Sequence, residues 1–306
     1  MSERTKSRGR SVNGVLLLDK PVGVTSNDAL QQVKRIYQAR KAGHTGNLDA
    51  PASGLLPLCF GEATKVSTFL LNAPKSYHAV FRLGITTTTG DGVGEVRRRR
   101  SVSAFSKEEI VRVLALFTGV IEQVPPMHSA IKHQGQPLYK LARQGVVIER
   151  KARTVEIYAL DLVSWDRDLL EVTVNCSKGT YIRTLAEDIG EKLGSGAHVL
   201  TLRRLGVGPY RIEGAVTLEE VKHLSEQDQE RLQGVLRPLD SALLNQPDIR
   251  LSEDAAFYLR NGQAVMVPHA PVAGLVRLYD RGDEFLGVGQ VLADGRIAPR
   301  RLMNYS

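Results

Sequence analysis

Residues 43–60 read GHTGNLDAPASGLLPLCF. The part up to Gly54 holds three glycines, a proline, a histidine and one acid, a composition that suits a surface turn. The chain then runs straight into LLPLCF, which is apolar enough to be core. A glycine-rich loop laid against a core, with one carboxylate in it, makes Asp49 either a turn former or a reagent. Taken singly, it reads more readily as a turn former, because aspartate bonds its own backbone in turns.

The flanking sequence places this loop in a mixed fold. Residues 15–18 (VLLL) form a short apolar strand stopped by the turn DKPVG at 19–23. Ser26 or Asn27 can cap a helix whose Leu30, Val33, Ile36 and Tyr37 share one face. A buried strand is expected at 55–59. Residues 77–83 alternate, with Tyr77, Ala79, Phe81 and Leu83 on one side, which is a strand period. Residues 86–100 read as a Gly-, Thr- and Arg-rich loop, with Arg97–Arg100 a solvated charge run. Its GDGVG lacks dinucleotide-fingerprint spacing. SKEE at 106–109 is a capping box ahead of an apolar helical stripe, and 217–220 is a second.

Residues 170–176 alternate again and run into SKGTY, then into a helix through Leu185, Ile189 and Leu193 that Gly194 ends. A boundary is expected near residue 248. Beyond it come one helix at 251–260 and strands at 274–279, 285–291 and 296–302, the last two joined by a hairpin at Asp294-Gly295. Three segments result: a basic arm (1–11), a main domain (12–248) and a small mostly β module (249–306). Strands and helices follow no regular βαβ order, so the class is α+β.

Composition narrows the chemistry. The 306 residues are 42% apolar, and no apolar run reaches the roughly 18–20 residues of a membrane span. The basic, polar N-terminus lacks a signal-peptide core, so the cytoplasm is expected. The two cysteines, Cys59 and Cys176, sit in apolar runs and read as buried thiols. A net charge of +8 suits a polyanion, nucleic acid before membrane, whereas 6% aromatic residues do not indicate a stacking platform. No two histidines stand at HxxxH or similar metal spacing with a nearby acid, so no metal site is expected. GxSxG, P-loop and HExxH motifs are absent. What remains is Asp49 in its loop and a strand-to-helix turn, CSKGTYIRT, carrying Lys178, Tyr181 and Arg183.

Further ordered blocks accompany these: NGVLLLDKP (13–21), GEATK (61–65), KSY (75–77), PPMHSA (125–130), ARQG (142–145), GAH (196–198), LRR (202–204) and APRRL (298–302). Together they closely resemble the TruB family of tRNA pseudouridine synthases. The resemblance implies a pseudouridine-synthase catalytic domain around a largely antiparallel sheet, followed by a small PUA-like β-barrel. It implies isomerisation of uridine 55 in the tRNA T arm without a cofactor, with assistance to tRNA folding able to coexist; a monomer is the default expectation. Asp49 is then the catalytic aspartate, and Arg183 the partner that keeps it ionised and aimed. Tyr77 lies against the target ring and takes or assists the C5 proton, and Leu202 packs beside the uracil. His44 fills the space left by the extruded base. Tyr181 and Lys20 complete the implied substrate contacts, Lys65 holds phosphate or pocket structure, and Arg143, Arg153, Arg203 and Arg204 are candidate phosphate contacts.

Three positions depart from the family pattern. Asp49 is followed by Ala50, with proline moved to Pro51; Asn47 replaces a common alanine; His128 stands where tyrosine is frequent. The displaced proline shifts a φ restriction by one residue and leaves the backbone around Asp49 open. Two other readings stand beside the isomerase: a tRNA-folding protein with lost chemistry, and a metal-free glycosidase using Glu62 as second carboxylate.

Overall fold

The computed structural model describes residues 9–304, which pack as two units. One contains residues 9–48, 55–71 and 208–304; the other contains 49–54 and 72–207. Asp49–Gly54 therefore belongs with the second unit, although the chain on both sides of it belongs with the first.

In the first unit the apolar run becomes the strand Gly14–Lys20, paired in parallel with Val216–Thr217. The strand Ser53–Phe60 lies on its other side and carries Ala42–His44 antiparallel along its far half. Over these strands lies the helix Ser26–Ile36, burying Ala29, Leu30 and Val33 against Leu16, Leu18, Leu56, Leu58 and Phe60. The helix Leu218–Gln227 adds Leu218, Val221 and Leu224 to the same core. Both halves of its expected capping box form: Glu220 N–H donates to Thr217 Oγ1, and Thr217 N–H to Glu220.

The cap of the first helix differs from expectation. Thr25, not Ser26 or Asn27, accepts the bond from Asp28 N–H at 3.1 Å. Ser26 is fully buried and turned the other way. Its hydroxyl accepts from Leu48 N–H (2.8 Å) and donates to Leu48 C=O (3.0 Å), so it pins the residue just before Asp49. A hydroxyl can serve both backbone groups at once, and a periodicity argument does not see that.

Later in the same unit, Asp248–Arg250, Gly274–Tyr279, Phe285–Val291 and Ile297–Leu302 form a four-stranded sheet in that order. The hairpin at Asp294-Gly295 is present, with Leu292 N–H on Arg296 C=O and Gly295 at φ +83°. The helix Glu253–Arg260 starts after the cap Ser252 and packs Ala256 and Leu259 against Val276, Leu278 and Ile297. GEATK forms a short 3-10 turn that clasps this segment. Lys65 donates to Leu302 C=O at 2.8 Å, and Glu62 accepts from Lys65 and from Asn304 N–H. Of the basic arm expected over 1–11, residues 1–8 lie outside the described residues, whereas Arg10 bridges in parallel to Ala39.

The second unit is built on Lys75–Leu83, the Tyr77 strand, whose alternating residues Tyr77, Ala79, Phe81 and Leu83 are buried as expected. It pairs antiparallel with Leu169–Cys176 on one edge and with Ala197–Val207 on the other. Arg153–Asp166 and then Gly119–Gln123 extend the first edge, both antiparallel. On the other edge Ser53 and Gly54 pair in parallel with Arg203 and Arg204. The helix Ile182–Lys192 buries Leu185, Ala186 and Ile189, and Gly190 lets its backbone close on Gly196 and Ala197. The 86–100 loop is corrected: Val96–Arg99 is a strand, fully exposed, paired with Ile85–Thr87. No helix of the described residues is long and apolar enough to cross a membrane.

Two backbones approach closely at Gly54. Its φ is +102°, and a Cβ there would stand 2.3 Å from the Arg204 carbonyl oxygen. Gly54→Ala is expected to cost about 2–4 kcal/mol through strain and overpacking together. Gly234, with open space around it, is the control, and Gly234→Ala should move stability by no more than about 0.5 kcal/mol. Urea unfolding of the two variants decides; equal midpoints would refute the close-packing argument.

Candidate functional site

The site is assembled from a loop, a strand and the first turn of a helix, all in the second unit. Asp49 is the loop contribution. Ala52 N–H donates to Asp49 C=O at 3.0 Å, closing a turn over Ala50 and Pro51. Pro51 occupies a position in that turn whose N–H is not needed, which accommodates the displaced proline. The turn fixes the Asp49 backbone and leaves its side chain 41% exposed.

Arg183 is the helix contribution, and its side chain is 9% exposed. Its Nη2 forms an ion pair with Asp49 Oδ2 (2.9 Å) and donates to His128 C=O (2.7 Å), and its Nη1 donates to Thr89 C=O (2.8 Å). Asp91 Oδ2 stands 3.9 Å from Nη1. Asp91 is itself tied down by Thr89 Oγ1 and Val93 N–H. The planar guanidinium thus reaches two carbonyls and a carboxylate at once, which a lysine ammonium cannot do with the same geometry. A buried cation surrounded this way is satisfied, and the carboxylate it holds faces solvent.

Tyr77 is the strand contribution. Cross-strand register sets Arg204 opposite Tyr77 and Leu202 opposite Ala79, so Leu202 and Arg204 share the face of the Tyr77 ring. Burial pushes the Tyr77 phenol up, and Arg204, hydrogen-bonded to it, pulls it down. Asp49 raises it through space, which places the two groups within electrostatic range. Arg204 is 1% exposed, so the candidate phosphate contact is instead an interior partner of Tyr77. Burial lowers it, and Tyr77 opposes that shift. Arg203 is half-buried and donates to Ser53 Oγ at 3.4 Å.

Tyr181 immediately precedes the Arg183 helix. Gln123, buried, accepts from its N–H (3.0 Å) and donates to its C=O (3.3 Å), setting where the helix begins. Burial pushes the Tyr181 phenol up, against Ser129, Arg153 and Arg183. Asp49, Tyr77, Arg183, Tyr181 and Leu202 are therefore brought into one unit.

Lys20 and His44 belong to the first unit. Lys20 is fully buried, and its amine donates to Pro21 and Val24 carbonyls at 2.8 and 2.7 Å, where it closes a turn. His44 ends the strand Ala42–His44, half-buried opposite Leu58. Arg143 lies over the Tyr139 ring at 5.7 Å, and Arg153 is exposed at the start of its strand.

Sequence reading passed over Asp91, Gln123 and the Arg204–Tyr77 pair. Asp91 was in view inside GDGVG, but only as a failed nucleotide motif. His128 lends its carbonyl to Arg183; burial and then Arg183 depress its imidazole. Among the described residues no group of three or more His, Cys, Asp and Glu side chains is placed to hold a metal ion.

Comparison with known proteins identifies the family to which the chain belongs. Residues 34–182 match the model for the TruB family pseudouridylate synthase N-terminal domain. Residues 183–244 match the tRNA pseudouridylate synthase B C-terminal domain, and 247–303 match the pseudouridine synthase II TruB C-terminal domain. The chain is 54% identical over 303 residues to a tRNA pseudouridine synthase B from Nitrosococcus oceani, covering 99% of this chain and 98% of that protein. It is 52% identical over 295 residues to the Pseudomonas aeruginosa protein of that name, covering 96% and 97%. Among solved structures it is similar to a chain of a Cbf5-Nop10-Gar1 complex, with TM-score 0.72, 27% identity and coverage of 96% and 84%. A chain of an H/ACA RNP bound to a substrate RNA containing 2′-deoxyuridine shares the fold, with TM-score 0.73, 24% identity and coverage of 95% and 85%.

Two outcomes follow from the packing. Removing Asp49 leaves Arg183 its two carbonyls and Asp91, whereas removing Arg183 strands the Thr89 and His128 acceptors. Asp49→Ala should therefore change stability by less than about 1 kcal/mol, and Arg183→Leu should lose about 2–4 kcal/mol in thermal or urea unfolding. The second outcome concerns Lys75, two residues before Tyr77. Burial and then Arg204 lower its amine to about 8, from 10.5. A lowered amine binds fewer protons folded than unfolded, so its cost is complete below pH 8 and disappears as pH rises towards 10.5. Relative to Lys75→Met, wild type should gain up to about 3 kcal/mol across that window. A difference independent of pH would refute the shift.

Proposed function

We propose that this chain, which belongs to the TruB family of pseudouridylate synthases and forms pseudouridine in tRNA, does so at uridine 55 of the T arm by carboxylate chemistry centred on Asp49. The observation that carries the assignment is the ion pair itself: an exposed carboxylate, in a turn-fixed loop, held at 2.9 Å by a guanidinium that is otherwise buried. Arg183 occupies Oδ2, and Oδ1 is left for the substrate.

The reaction breaks the bond between N1 and ribose C1′, turns the uracil, and joins C5 to C1′. N1 gains a proton and C5 loses one, so atoms balance without a co-reactant. A carboxylate can serve this in three ways: by attacking the base, by attacking C1′, or by removing a ribose proton. Each uses the Asp49 carboxylate, which Arg183 holds in place through the ion pair. Tyr77 offers a flat ring for the extruded base and a hydroxyl for the C5 proton. A neutral phenol cannot keep an added proton without releasing its own, so Tyr77 acts in a relay, with Arg204 stabilising transient negative charge on its oxygen. Leu202, on the same sheet face, supplies an apolar flank. Tyr181 borders the ion pair, and His44 enters the vacated base stack.

Cost also supports this division of labour. Extruding a stacked uridine takes a few kcal/mol, which contacts elsewhere on the RNA must offset. The enzyme works as a monomer in the cytoplasm, on the T stem-loop, and requires no cofactor. The main domain spans 12–248, and 249–306 forms the appended RNA-binding module.

The test is an unmodified tRNA transcript incubated with wild type or Asp49→Asn, followed by carbodiimide mapping of pseudouridine. Wild type should modify uridine 55. The variant should give no product while its tRNA affinity stays within about threefold of wild type. Product from the variant would remove Asp49 from the chemistry, and modification at another position would remove the site assignment. Affinity should also fall steeply with added salt.

A further inference from the structure

The exposed arginine strand is a feature that the active site does not absorb. Val96–Arg99 pairs with Ile85–Thr87, so three consecutive arginines are held in extended backbone rather than in a loose loop. All of them are exposed. Among the described residues the guanidinium groups of Arg97, Arg98 and Arg99 have no hydrogen bond or ion pair, whereas Arg100 is committed to Glu191 at 2.7 Å. Ordering cations side by side without counter-ions is unfavourable by itself, and a polyanion would relieve it.

The hairpin is also wired to the active site. Its register slips between Thr86 and Thr87, which makes Arg97 the extra residue of a bulge, a device that re-aims a side chain. The charge of Arg97 is felt at His128 and at Glu187, and His128 lends its carbonyl to Arg183. At the hairpin tip Thr88 N–H donates to Glu95 C=O, and Glu95 N–H to Thr88 Oγ1. A Cβ on Gly94 would meet Thr89 Oγ1 at 2.4 Å, so the tip is tightly folded. The neighbouring Thr89 carbonyl and Asp91 carboxylate are the groups that face Arg183. The acids near the strand are Glu95, Glu187, Glu191 and Asp91. Asp91 is taken up within the tip and Glu191 by Arg100.

We infer that the bulged strand Arg97–Arg98–Arg99 is a contact surface for the sugar-phosphate backbone of the RNA substrate, beside the nucleotide that Asp49 acts on. This rests on the reading of the chain as a tRNA-modifying enzyme and adds a place where the RNA is gripped. Three exposed guanidinium groups close together in sequence can each neutralise a phosphate, and each phosphate neutralised releases condensed counter-ions. The grip supplies binding energy next to the flipped base, where extrusion has to be offset.

The experiment compares wild type with the triple variant Arg97→Ala, Arg98→Ala, Arg99→Ala, using a tRNA transcript. A charge-matched control carries Lys107→Ala, Arg112→Ala and Lys222→Ala, all exposed and outside the hairpin. The arginine triple should weaken tRNA binding by about tenfold or more near 0.1 M salt. It should also flatten the slope of log affinity against log salt by about 2. Its single-turnover rate at saturating tRNA should stay within about threefold of wild type, and the control triple should change affinity by less than about threefold. The charge reversal Arg98→Glu, made alone, should weaken binding more than Arg98→Ala, which covers any misfolding of the triple. Equal behaviour of the two triples would overturn the inference, as would a loss confined to the saturating rate. If wild type binds with the expected slope difference and modifies nothing, the functional reading falls and the surface assignment stands.

Discussion

A guanidinium removed from water has to be met by acceptors on nearly every side, and the second unit is organised around meeting those of Arg183. Its acceptors come from three separate stretches of chain: Asp49 in the loop, Thr89 in the hairpin and His128 in the segment after Gly119–Gln123. Desolvating the cation without them would cost several kcal/mol, so the cation dictates where each loop must lie. Asp49 alone is both an acceptor and exposed. The same interaction that satisfies the interior therefore presents a charged oxygen to the outside, and structural need and chemical use meet in one ion pair.

The neighbours of the loop show how such a carboxylate is aimed. Leu48, just before it, is bonded at both backbone groups by the buried Ser26 hydroxyl. Ala52, three residues after it, closes back on the Asp49 carbonyl. Two residues further on, Gly54 lies so close to Arg204 that no side chain fits. Arg204 in turn holds the Tyr77 phenol. Loop, strand and phenol are thus in mechanical series, and the proline displaced to Pro51 changes none of these anchors.

Much of this was legible before any coordinates. Strict alternation at 77–83 gave the Tyr77 strand because one of its faces is buried and the other is not. Both capping boxes formed because their signal is local. The strands Arg153–Asp166 and Ala197–Val207 carried no clean alternation, since bulges at Ile157/Ala159 and Val199/Thr201 break the period. The arginine run was hidden for a related reason: an exposed two-stranded hairpin has no buried face to leave a pattern. In the site, Asp49, Tyr77 and Arg183 stood out through family-like motifs. Asp91, Gln123 and Arg204 did not, because their importance lies in partners 58 to more than 90 residues distant, or across a strand register. Lys20 illustrates the opposite case, a charge in a suggestive motif whose amine serves two carbonyls of its own turn.

The clasp between GEATK and the residues after Leu302 bears on how the protein is made. Lys65 and the Leu302 carbonyl are separated by 237 positions, and Glu62 and the Asn304 amide by 242. At a translation rate of about 5–20 residues per second, Glu62 and Lys65 emerge on the order of 10–50 s before their acceptor and donor exist. Throughout that interval they can pair only with each other or with water. This corner therefore stays open until residues 302–304 have emerged, whatever the rest of the chain has done by then.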